Sequence, residues 1–396
     1  MSSERPSLPS GTYIIQSQEQ VLFGLAAERA VCDEVERLGA KRVFLTSGRS
    51  LGRLQNGPLQ RIEHALGDLH CGSFARISAH SPREDVIEGS CAARSAGADL
   101  LVAVGGGSVI DATKAMLMAL WMNLDSPESM EPYRNQLTGE LTRRIQAPVG
   151  ATRMIAVSTT LSASEFTPNA GVTESVTHTK QSYSHRLMVP VSVILDPAAT
   201  LDTPLDLLFN TAIRAVDHAV ESFCSPMANP ATEAHSLQGW RLLAQSLPRI
   251  AADPTDLHAR LQAQFGMWQA IAGSAAGARV GASHGIGYAL GATFGIAHGH
   301  TSCVMLPAVL RWNAAVNASR QQALSDASGH PDIPAADLVA RLVRSLNLPG
   351  TLREVGIGPE QFDEIAVRAL EYVNLRNNPR PLTQVAEVIE VLKLAA

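Results

Sequence analysis

The stretch LLVAVGGGSVIDATKAM, residues 100–116, is the strongest indication of the fold. An apolar run typical of a buried strand leads directly into Gly105, Gly106 and Gly107, and a helical pattern follows. Bare glycine backbone lets a ligand approach the amides closely, and the free N–H groups at the start of a helix attract phosphate. This order of strand, glycine turn and helix predicts a pyrophosphate cradle, although its spacing is not GxGxxG. A tight turn without a ligand is the plainer interpretation.

Polar residues around the glycine turn are further candidates for cofactor contacts. We expect Ser108 to open the helix, with Asp111 three residues later. Asp111 and Lys114 share a helix face and are placed to hydrogen-bond ribose or phosphate, and a surface ion pair between them is the alternative. The polar run after residues 154–157 supplies candidates for the pyrophosphate or the nicotinamide amide, with local capping as the alternative. These candidates are Thr159, Thr160, Ser162 and Ser164.

Around this stretch, apolar runs alternate with helical patterns up to about residue 197. Strand-like segments cover residues 42–47, 75–80 and 99–104, and helix-like segments cover residues 59–69 and 86–98. Such alternation is typical of βαβ units in a parallel sheet. Beyond Asp196-Pro197, apolar residues recur at helical spacings of three and four. We therefore predict an α/β dinucleotide-binding domain over residues 1–197 and an all-helical domain over residues 198–396.

The composition is that of an ordinary globular protein. The chain has 396 residues, of which 45% are hydrophobic and 17% charged, which suffices for two cores. A formal net charge of −5 without a Lys/Arg run argues against nucleic acid or an anionic membrane as partner. We expect a cytoplasmic protein, because the sequence has neither a signal-peptide pattern nor an apolar run of ~18 residues. The five cysteines form no CxxC pair, and we interpret them as buried small side chains.

Two stretches in the second half concentrate chemically active side chains. TAIRAVDHAVES, residues 211–222, places Arg214 and His218 one helical turn apart. SHGIGYALGATFGIAHGH, residues 283–300, combines glycines with His284, Tyr288, His298 and His300. His300 is a candidate to act at the same site as His298, and a solvent-facing side chain is the alternative.

Several motifs, in this order, resemble the iron-dependent (group III) alcohol dehydrogenase superfamily. They are GGGSxxDxxK after a strand, TTLSASEFTPNAGVTE at 159–174, ILDP at 194–197, HAVE at 218–221, the glycine and histidine stretch, and NNPRPLT at 377–383. SEFTPNAGVTE and NPRP are similar to the maleylacetate reductase branch. The resemblance implies a dehydroquinate synthase-like fold, NAD(P) in the cleft between two domains, and commonly a homodimer.

The resembled family predicts a metal site from which this chain departs. Metal-dependent members carry D-x-x-x-H on a helix and two further histidines fourteen residues apart. His218, His284 and His298 keep the histidine positions, but Arg214 stands at the carboxylate position. A guanidinium stays protonated and has no lone pair, so we expect no bound metal, and an ion held by three histidines is the alternative. Asp217 lies about 100° round the helix from His218 and is a poor substitute ligand.

A second departure is Tyr288, at a position where the family usually has another histidine that is thought to relay a proton. Tyrosine can donate a proton or a hydrogen bond to a developing alkoxide, although its ordinary pKa of ~10 makes it a weaker acid than imidazolium. We treat general-acid catalysis by Tyr288 as a hypothesis. A packing role is the alternative.

Arg214 supplies the same local charge as an aspartate with a divalent cation. We interpret it as the group that holds a substrate carboxylate or the developing oxyanion, with His218, His284 and His298 as further donors. An ion pair with a carboxylate such as Glu165, in a site that has lost its activity, is the alternative. The sequence thus predicts an NAD(P)H-dependent, metal-independent reductase of a keto or enol-keto acid. A metal-dependent alcohol dehydrogenase of the same fold, and a non-redox lyase, hydrolase or nucleotide-binding protein, are the other hypotheses.

The choice between NADH and NADPH rests on the residues that follow the second strand. Thr46, Ser47 and Gly48 stand where an NAD-selective site often places an acid for the ribose hydroxyls, and Arg49 comes next. We count Ser47 among the cofactor contacts. Without an acid there, either nucleotide is expected to serve, and Arg49 favours NADPH.

Near the end of the chain, prolines flank Arg380 and disfavour helix. We expect Asn377, Asn378 and Arg380 in an extended loop. The family resemblance places this loop at the cleft edge, and a surface linker is the alternative.

Overall fold

The computed structural model describes residues 12–135, 143–176 and 179–396. Its first half alternates strands and helices, as predicted. These elements are β1 (Gln20–Phe23), α1 (Ala27–Leu38), β2 (Val43–Gly48), α2 (Arg49–Gly52), α3 (Pro58–Leu66), β3 (His70–Ile77), α4 (Arg83–Ser95), β4 (Leu100–Gly105), α5 (Gly107–Trp121), β5 (Arg153–Ser158), β6 (Asn169–Glu174), β7 (Thr179–Ser184) and β8 (Ser192–Leu195).

The second half of the chain is helical, as predicted. Its helices are α6 (Leu205–Cys224), α7 (Pro230–Ala252), α8 (Leu257–Ala275), α9 (Ala282–Phe294), α10 (His298–Ala327), α11 (Ala335–Ser345), α12 (Phe362–Ala369), α13 (Asn374–Asn377) and α14 (Val385–Leu394). Within the described ranges, no helix has both the length and the apolar character that a membrane crossing requires. The boundary at residue 197 between two domains stays a proposal.

Six strands form one parallel sheet in the order β1-β8-β5-β4-β2-β3. Strand β4 is buried along its whole length between β5 and β2. Because successive side chains of a strand point to opposite faces, Leu101 and Ala103 pack with α4 and α5, whereas Val102 and Val104 pack with α1 and α3. Burial on both faces explains why this strand is a continuous apolar run, and it fixes the glycine turn at the carboxyl edge of the sheet.

Two local details differ from the prediction. The strand expected at 75–80 is β3, His70–Ile77, so its start lies five residues earlier and residues 78–80 belong to a loop. Strands β6 and β7 pair as an antiparallel hairpin outside the main sheet, and the sequence pattern did not predict it. The hairpin packs on α5, so it closes one side of the region beyond the glycine turn.

Helix α6 lies at the centre of the helical region and contacts α7, α8, α9 and α10. Helices α7 and α8 cross closely, because glycine stands at the contact on both of them. A Cβ atom on Gly239 would lie 2.6 Å from the backbone nitrogen of Ala270 and 3.0 Å from the carbonyl oxygen of Gly266. The crossing therefore has no room for even one methyl group.

We predict that Gly239→Ala lowers the free energy of unfolding by about 1–3 kcal/mol, because the added methyl group would force α7 and α8 apart. Thermal unfolding followed by circular dichroism measures the change. Gly350→Ala is the control: its Cβ would meet only Glu354, at 3.8 Å, and the Tm of this variant should stay close to that of the unmodified protein. Equal Tm values for the two variants would contradict the packing argument.

Candidate active site

The glycine turn after β4 has the form predicted for a phosphate cradle. Helix α5 begins at Gly107, with Gly106 in extended conformation before it, so it starts one residue earlier than expected and Ser108 is its second residue. A Cβ on Gly106 would lie 2.7 Å from Cγ2 of Thr160, and one on Gly107 would lie 3.0 Å from Oγ of Ser162. The polar run after β5 therefore borders the same turn, in a space that only a bare backbone leaves open.

Ser108 and Asp111 anchor neighbouring segments to the cradle. The Ser108 hydroxyl accepts a hydrogen bond from the amide of His80 at 3.0 Å, and its carbonyl accepts one from the Ser81 hydroxyl at 2.7 Å. His80 and Ser81 have φ angles of 65° and 54°, so the loop before α4 is held in a backbone conformation that side chains disfavour. The Asp111 carboxylate accepts from the Gly171 amide at 3.0 Å, which ties the hairpin to α5.

Lys114 is fully buried, which differs from the surface pair considered for it. Its ammonium donates to the carbonyl and hydroxyl oxygens of Ser164 at 2.6 and 3.0 Å and to the carbonyl oxygen of Asn169 at 2.8 Å. Asp111 lies 3.4 Å away. Burial is the main cause of the lowered pKa of Lys114. These acceptors take all three ammonium protons, so the structure describes a bracing role, and contact of Lys114 with a cofactor stays a prediction.

The hydroxyls of Thr46 and Ser47, at the end of β2, also have hydrogen-bond partners within the protein. Ser47 is buried and donates to the carbonyl oxygen of Val104 at 2.7 Å. Thr46 lies 2.6 Å from the hydroxyl of Thr113. Ser47 thus ties β2 to β4, and Thr46 ties β2 to α5. Whether Ser47 also contacts a cofactor stays a prediction.

The structure brings the five predicted catalytic side chains into one cluster. The rings of His218 and His284 lie 4.7 Å apart, and Tyr288 lies 6.1 Å from the rings of both His284 and His298. The guanidinium of Arg214 lies 5.4 Å over the Tyr288 ring. These residues come from α6, α9 and the start of α10, so the packing of three helices builds the cluster.

Two buried carboxylates of α6 hold this cluster together. Glu221 accepts from the amides of Gly281 and Ser283, each at 2.8 Å, and from Nδ1 of His284 at 2.8 Å. It thereby satisfies free amides at the beginning of α9. Asp217 accepts from the hydroxyls of Ser283 at 2.9 Å and Ser302 at 2.6 Å, which tie α9 and α10 to α6.

Comparisons with known proteins cover nearly the whole chain. The model of the iron-containing alcohol dehydrogenase family matches residues 18–197, and that of the Fe-containing alcohol dehydrogenase family, C-terminal, matches residues 208–396. Dehydrogenase FUM7 of Gibberella moniliformis is 32% identical, over 96% of this chain and 96% of its own. The chain belongs to the iron-containing alcohol dehydrogenase family. It is accordingly an NAD(P)-dependent oxidoreductase.

Within the family, this chain is similar to maleylacetate reductases. Maleylacetate reductase 1 of Cupriavidus pinatubonensis is 31% identical, over 95% of this chain and 94% of its own. The crystal structure of the maleylacetate reductase from Rhizobium sp. strain MTP-10005 has a TM-score of 0.80 and 25% identity, and the match covers 98% of both chains. The predicted family, branch and fold are confirmed.

Arg214 occupies the position from which the family resemblance leads one to expect a ligand carboxylate. Its Nη1 donates to the Ser302 hydroxyl at 3.1 Å and lies 3.7 Å from the Asp217 carboxylate. The carboxylate partner of Arg214 is thus Asp217, which corrects the alternative that named Glu165. Glu165 is fully buried, and burial raises its pKa, while the cation that acts on it is Lys114.

Asp217 also differs from what its helical position suggested. We considered it only as a poor ligand beside His218, but it lies 3.4 Å from Nδ1 of His284. In the described part of the chain, the group whose ligand atoms fall within 4.8 Å of one another is Asp217, Glu221 and His284, not the three histidines of the family pattern. All three members of this group are already bound to one another or to amides and hydroxyls.

The protonation states of the histidines follow from these contacts. Burial and Arg214 lower the pKa of His284, but the charges and hydrogen bonds of Asp217 and Glu221 outweigh them and raise it. Burial, the largest influence, lowers the pKa of His218 well below its ordinary value and that of His298 to about 2. At neutral pH the cluster therefore holds neutral imidazoles at positions 218 and 298, while His284 is the histidine that most readily carries an extra proton.

Among the described residues, three buried ring nitrogens of the cluster have no hydrogen-bond partner. They are Nδ1 of His218, Nε2 of His284 and Nδ1 of His298. Buried polar atoms are normally satisfied, so such a concentration indicates a place where a ligand completes the bonding. His300 also has an unpartnered ring nitrogen, Nε2, and lies half-buried near the start of α10.

The NPRP segment lies against the same region, and its loop is buried where it meets α9. Asn377 ends the short helix α13, whereas we expected it in the loop, and Asn378 is extended as predicted. The Asn378 amide donates to Oδ1 of Asn313 at 2.6 Å, and its oxygen accepts from the amide of Ala282 at 3.3 Å. The guanidinium of Arg380 lies 3.4 Å over the Trp312 ring.

We predict that Glu221→Gln destabilises the protein by about 2 kcal/mol, because an amide nitrogen would face groups that all donate to the present carboxylate. The Tm in a thermal melt reports the change. Glu390→Gln is the control, since Glu390 is exposed on α14 and its change should leave the Tm unaltered. A Glu221→Gln variant as stable as the control would show that the carboxylate does not hold α9.

Proposed function

We propose that this protein reduces a keto or enol-keto acid with NAD(P)H and that it does so without a bound metal. The observation that carries the proposal is the guanidinium of Arg214 within the histidine cluster, bonded to Ser302 and 3.7 Å from Asp217. The relatives named maleylacetate reductase support an acidic substrate.

The carboxylates and the arginine of the cluster argue against the family's metal. A cation at Asp217 and Glu221 would have to displace the hydroxyls of Ser283 and Ser302 and the amides at the start of α9. It would also lie within a few ångströms of a permanent positive charge, which repels it. The three unpartnered ring nitrogens are the observation that favours a metal-dependent alcohol dehydrogenase, and we keep that function as the second candidate.

Arg214 is suited to bind an anion. Its side chain is 12% exposed, and within the described ranges its guanidinium makes one hydrogen bond, to Ser302. Most of its five N–H groups thus remain for a ligand. A forked guanidinium matches a carboxylate by two parallel hydrogen bonds, and a partly buried one binds it more strongly than in water. We therefore assign Arg214 to the substrate carboxylate or to the oxygen on which negative charge develops.

Reduction of a ketone adds a hydride to carbon and a proton to oxygen. When bound, NAD(P)H supplies the hydride, and the glycine turn at 105–107 with the border of Thr160 and Ser162 holds its pyrophosphate. The carboxylates at Nδ1 of His284 favour its protonated form, in which the unpartnered Nε2 carries a proton. His284 is then the proton donor to the alkoxide, and Arg214 stabilises the charge before the proton arrives. Tyr288, beside both, stays the alternative donor.

Three further properties are part of the proposal. The cytoplasmic location, the homodimer and the division into domains at residue 197 remain predictions. No partner other than an acidic small molecule and the nicotinamide cofactor is proposed. Light scattering of the purified protein tests the homodimer.

We predict that Arg214→Ala lowers kcat/KM for maleylacetate by about tenfold or more, because it removes charge-assisted hydrogen bonds to the substrate. The rate is followed by absorbance at the nicotinamide band. Arg214→Lys should recover part of the loss, since it restores the charge without the fork. The fall in kcat/KM caused by Arg214→Ala should be smaller for a neutral aldehyde than for the acidic substrate.

Arg341→Ala is the matched control for this experiment, because Arg341 is exposed on α11, a helix that contributes no residue to the cluster. Its kinetics should equal those of the unmodified enzyme. If Arg214→Ala also left kcat/KM unchanged with every keto acid tested, the role of the arginine would be rejected. Nucleotide binding without any oxidation of NAD(P)H would favour a non-redox function.

We predict that protein purified without chelator contains far less than one equivalent of iron or zinc, and that treatment with EDTA leaves its activity unaltered. Both results follow if Arg214 replaces the ion. Elemental analysis and assays before and after dialysis against EDTA measure them. One equivalent of metal, with activity lost on chelation and restored by the ion, would establish the metal-dependent alternative.

A further inference from the structure

The position of the glycine turn determines where each end of a bound dinucleotide lies. The turn follows β4, which has β5 on one side and β2 on the other. The segment after β5 is joined to the catalytic helix α6, because the Leu161 amide donates to the Thr211 hydroxyl at 3.1 Å. The reacting end of the cofactor therefore lies on the β5 side, and the adenosine end lies over the end of β2.

An open cavity of about 350 Å³ lies at the end of β2. We call it the arginine pocket, because its lining consists of Arg49, Gly52, Arg53, Ala75 and Arg76. Gly52 makes the pocket possible: a Cβ there would lie 2.8 Å from Cβ of Ala75 and 2.9 Å from its carbonyl oxygen. The short helix α2 can thus lie directly against β3, which brings arginines from both elements to one cavity.

The arginine pocket carries three positive charges and no carboxylate in its lining. Arg76 is partly neutralised, since it pairs with Glu88 and lies 4.9 Å over the Phe74 ring. Arg49 donates only a long hydrogen bond, 3.4 Å, to the carbonyl oxygen of Arg76. For Arg53, no side-chain partner is found among the residues that the structure describes. Like charges gathered in this way repel one another, and a dianionic ligand would relieve that repulsion.

We propose that the arginine pocket binds the 2′-phosphate of NADPH and makes NADPH the preferred reductant. The proposal deepens the proposed function and rests on its nicotinamide cofactor, but it is independent of the keto-acid substrate and of the metal. The adenosine ribose lies over β2, so its 2′-oxygen is the cofactor atom nearest to the end of that strand. A phosphate monoester there accepts forked hydrogen bonds from Arg49 and Arg53, and Arg76 adds its charge.

Gly48, the last residue of β2, supports the same specificity. An acid at this place would bind the ribose hydroxyls of NADH and repel a 2′-phosphate. A Cβ on Gly48 would make only ordinary contacts, 3.5 Å from the carbonyl oxygen of Ile77 and 3.6 Å from Cγ2 of Val109. The backbone therefore tolerates a side chain, and the absence of an acid at this residue is a matter of chemistry, not of space.

Binding of cofactor fragments tests the proposal without any turnover. Calorimetric titration compares adenosine 2′,5′-bisphosphate, 5′-AMP and inorganic phosphate on the full-length protein. The bisphosphate should bind about tenfold or more tightly than 5′-AMP, which corresponds to one or two charge-assisted hydrogen bonds. The double variant Arg49→Ala/Arg53→Ala should lose this advantage and keep its affinity for 5′-AMP. Arg29→Ala, an exposed arginine on α1, is the control and should change neither value.

Gly48→Asp is the reciprocal test. It should raise KM for NADPH by about tenfold or more while KM for NADH stays equal or falls, because the new carboxylate repels the 2′-phosphate and accepts from ribose hydroxyls. A variant that simply misfolded would lose both cofactors, and its melting curve would reveal this. A Tm equal to that of the unmodified protein, together with a higher ratio of KM for NADPH to KM for NADH, supports the assignment.

Three results would overturn the proposal. They are equal affinities of the unmodified protein for the bisphosphate and 5′-AMP, equal losses of both ligands in the arginine double variant, and binding of inorganic phosphate as tight as that of the bisphosphate. The last result would show an anion site unrelated to the dinucleotide. If every keto acid failed as substrate but the bisphosphate kept its advantage, the proposed reaction would be wrong while the 2′-phosphate pocket stood.

Discussion

The site depends on the attachment of α9 to α6 through two buried carboxylates. Glu221 binds the free amides at the start of α9, and Asp217 binds hydroxyls of α9 and α10. A carboxylate without partners would be costly at this depth, so the donors and the carboxylates require one another. The same contacts fix Nδ1 of His284 against Glu221 and direct Nε2 away from it. The packing of three helices thus sets both the position and the proton affinity of one catalytic candidate.

A guanidinium in this network differs physically from an ion. Arg214 is a residue of α6, three residues from Asp217 and four from His218, so folding alone places its charge in the cluster. The guanidinium stays protonated at every ordinary pH. It donates hydrogen bonds in one plane, whereas an ion accepts ligands from several directions. Such a group recognises the shape of a carboxylate and not only its charge. Selection of an acidic substrate follows more directly from an arginine than from a metal.

Most of the strands and helices, and the glycine turn, could be predicted from the sequence, because hydrophobic periodicity and the positions of glycines indicate local geometry. Strand β4 is apolar throughout since both faces are covered, and the glycines after it mark the turn. The hairpin of β6 and β7 escaped prediction because its residues are mostly polar, and within β7 only Tyr183 is buried. The sequence also did not predict that Asp217 ties α9 and α10 to α6, since its partners Ser283 and Ser302 lie 66 and 85 residues away along the chain. Spacing along one helix identified Arg214 and His218 but carried no information about helices that arrive from elsewhere.

The distribution of positive charge along the cofactor path has a structural cause. Lys114 is the cation nearest the glycine turn in sequence. Its ammonium donates three hydrogen bonds to Ser164 and Asn169 and so braces the hairpin. We assign the pyrophosphate to the backbone amides of the glycine turn and the start of α5, which would bind any dinucleotide alike. Under the two proposals, discrimination comes from arginines at the two ends: Arg214 is assigned to the substrate, and Arg49 with Arg53 to the 2′-phosphate. These assignments give the choice of substrate and the choice of cofactor to separate residues, because among the described residues no hydrogen bond or ion pair joins Arg214 to Arg49 or Arg53.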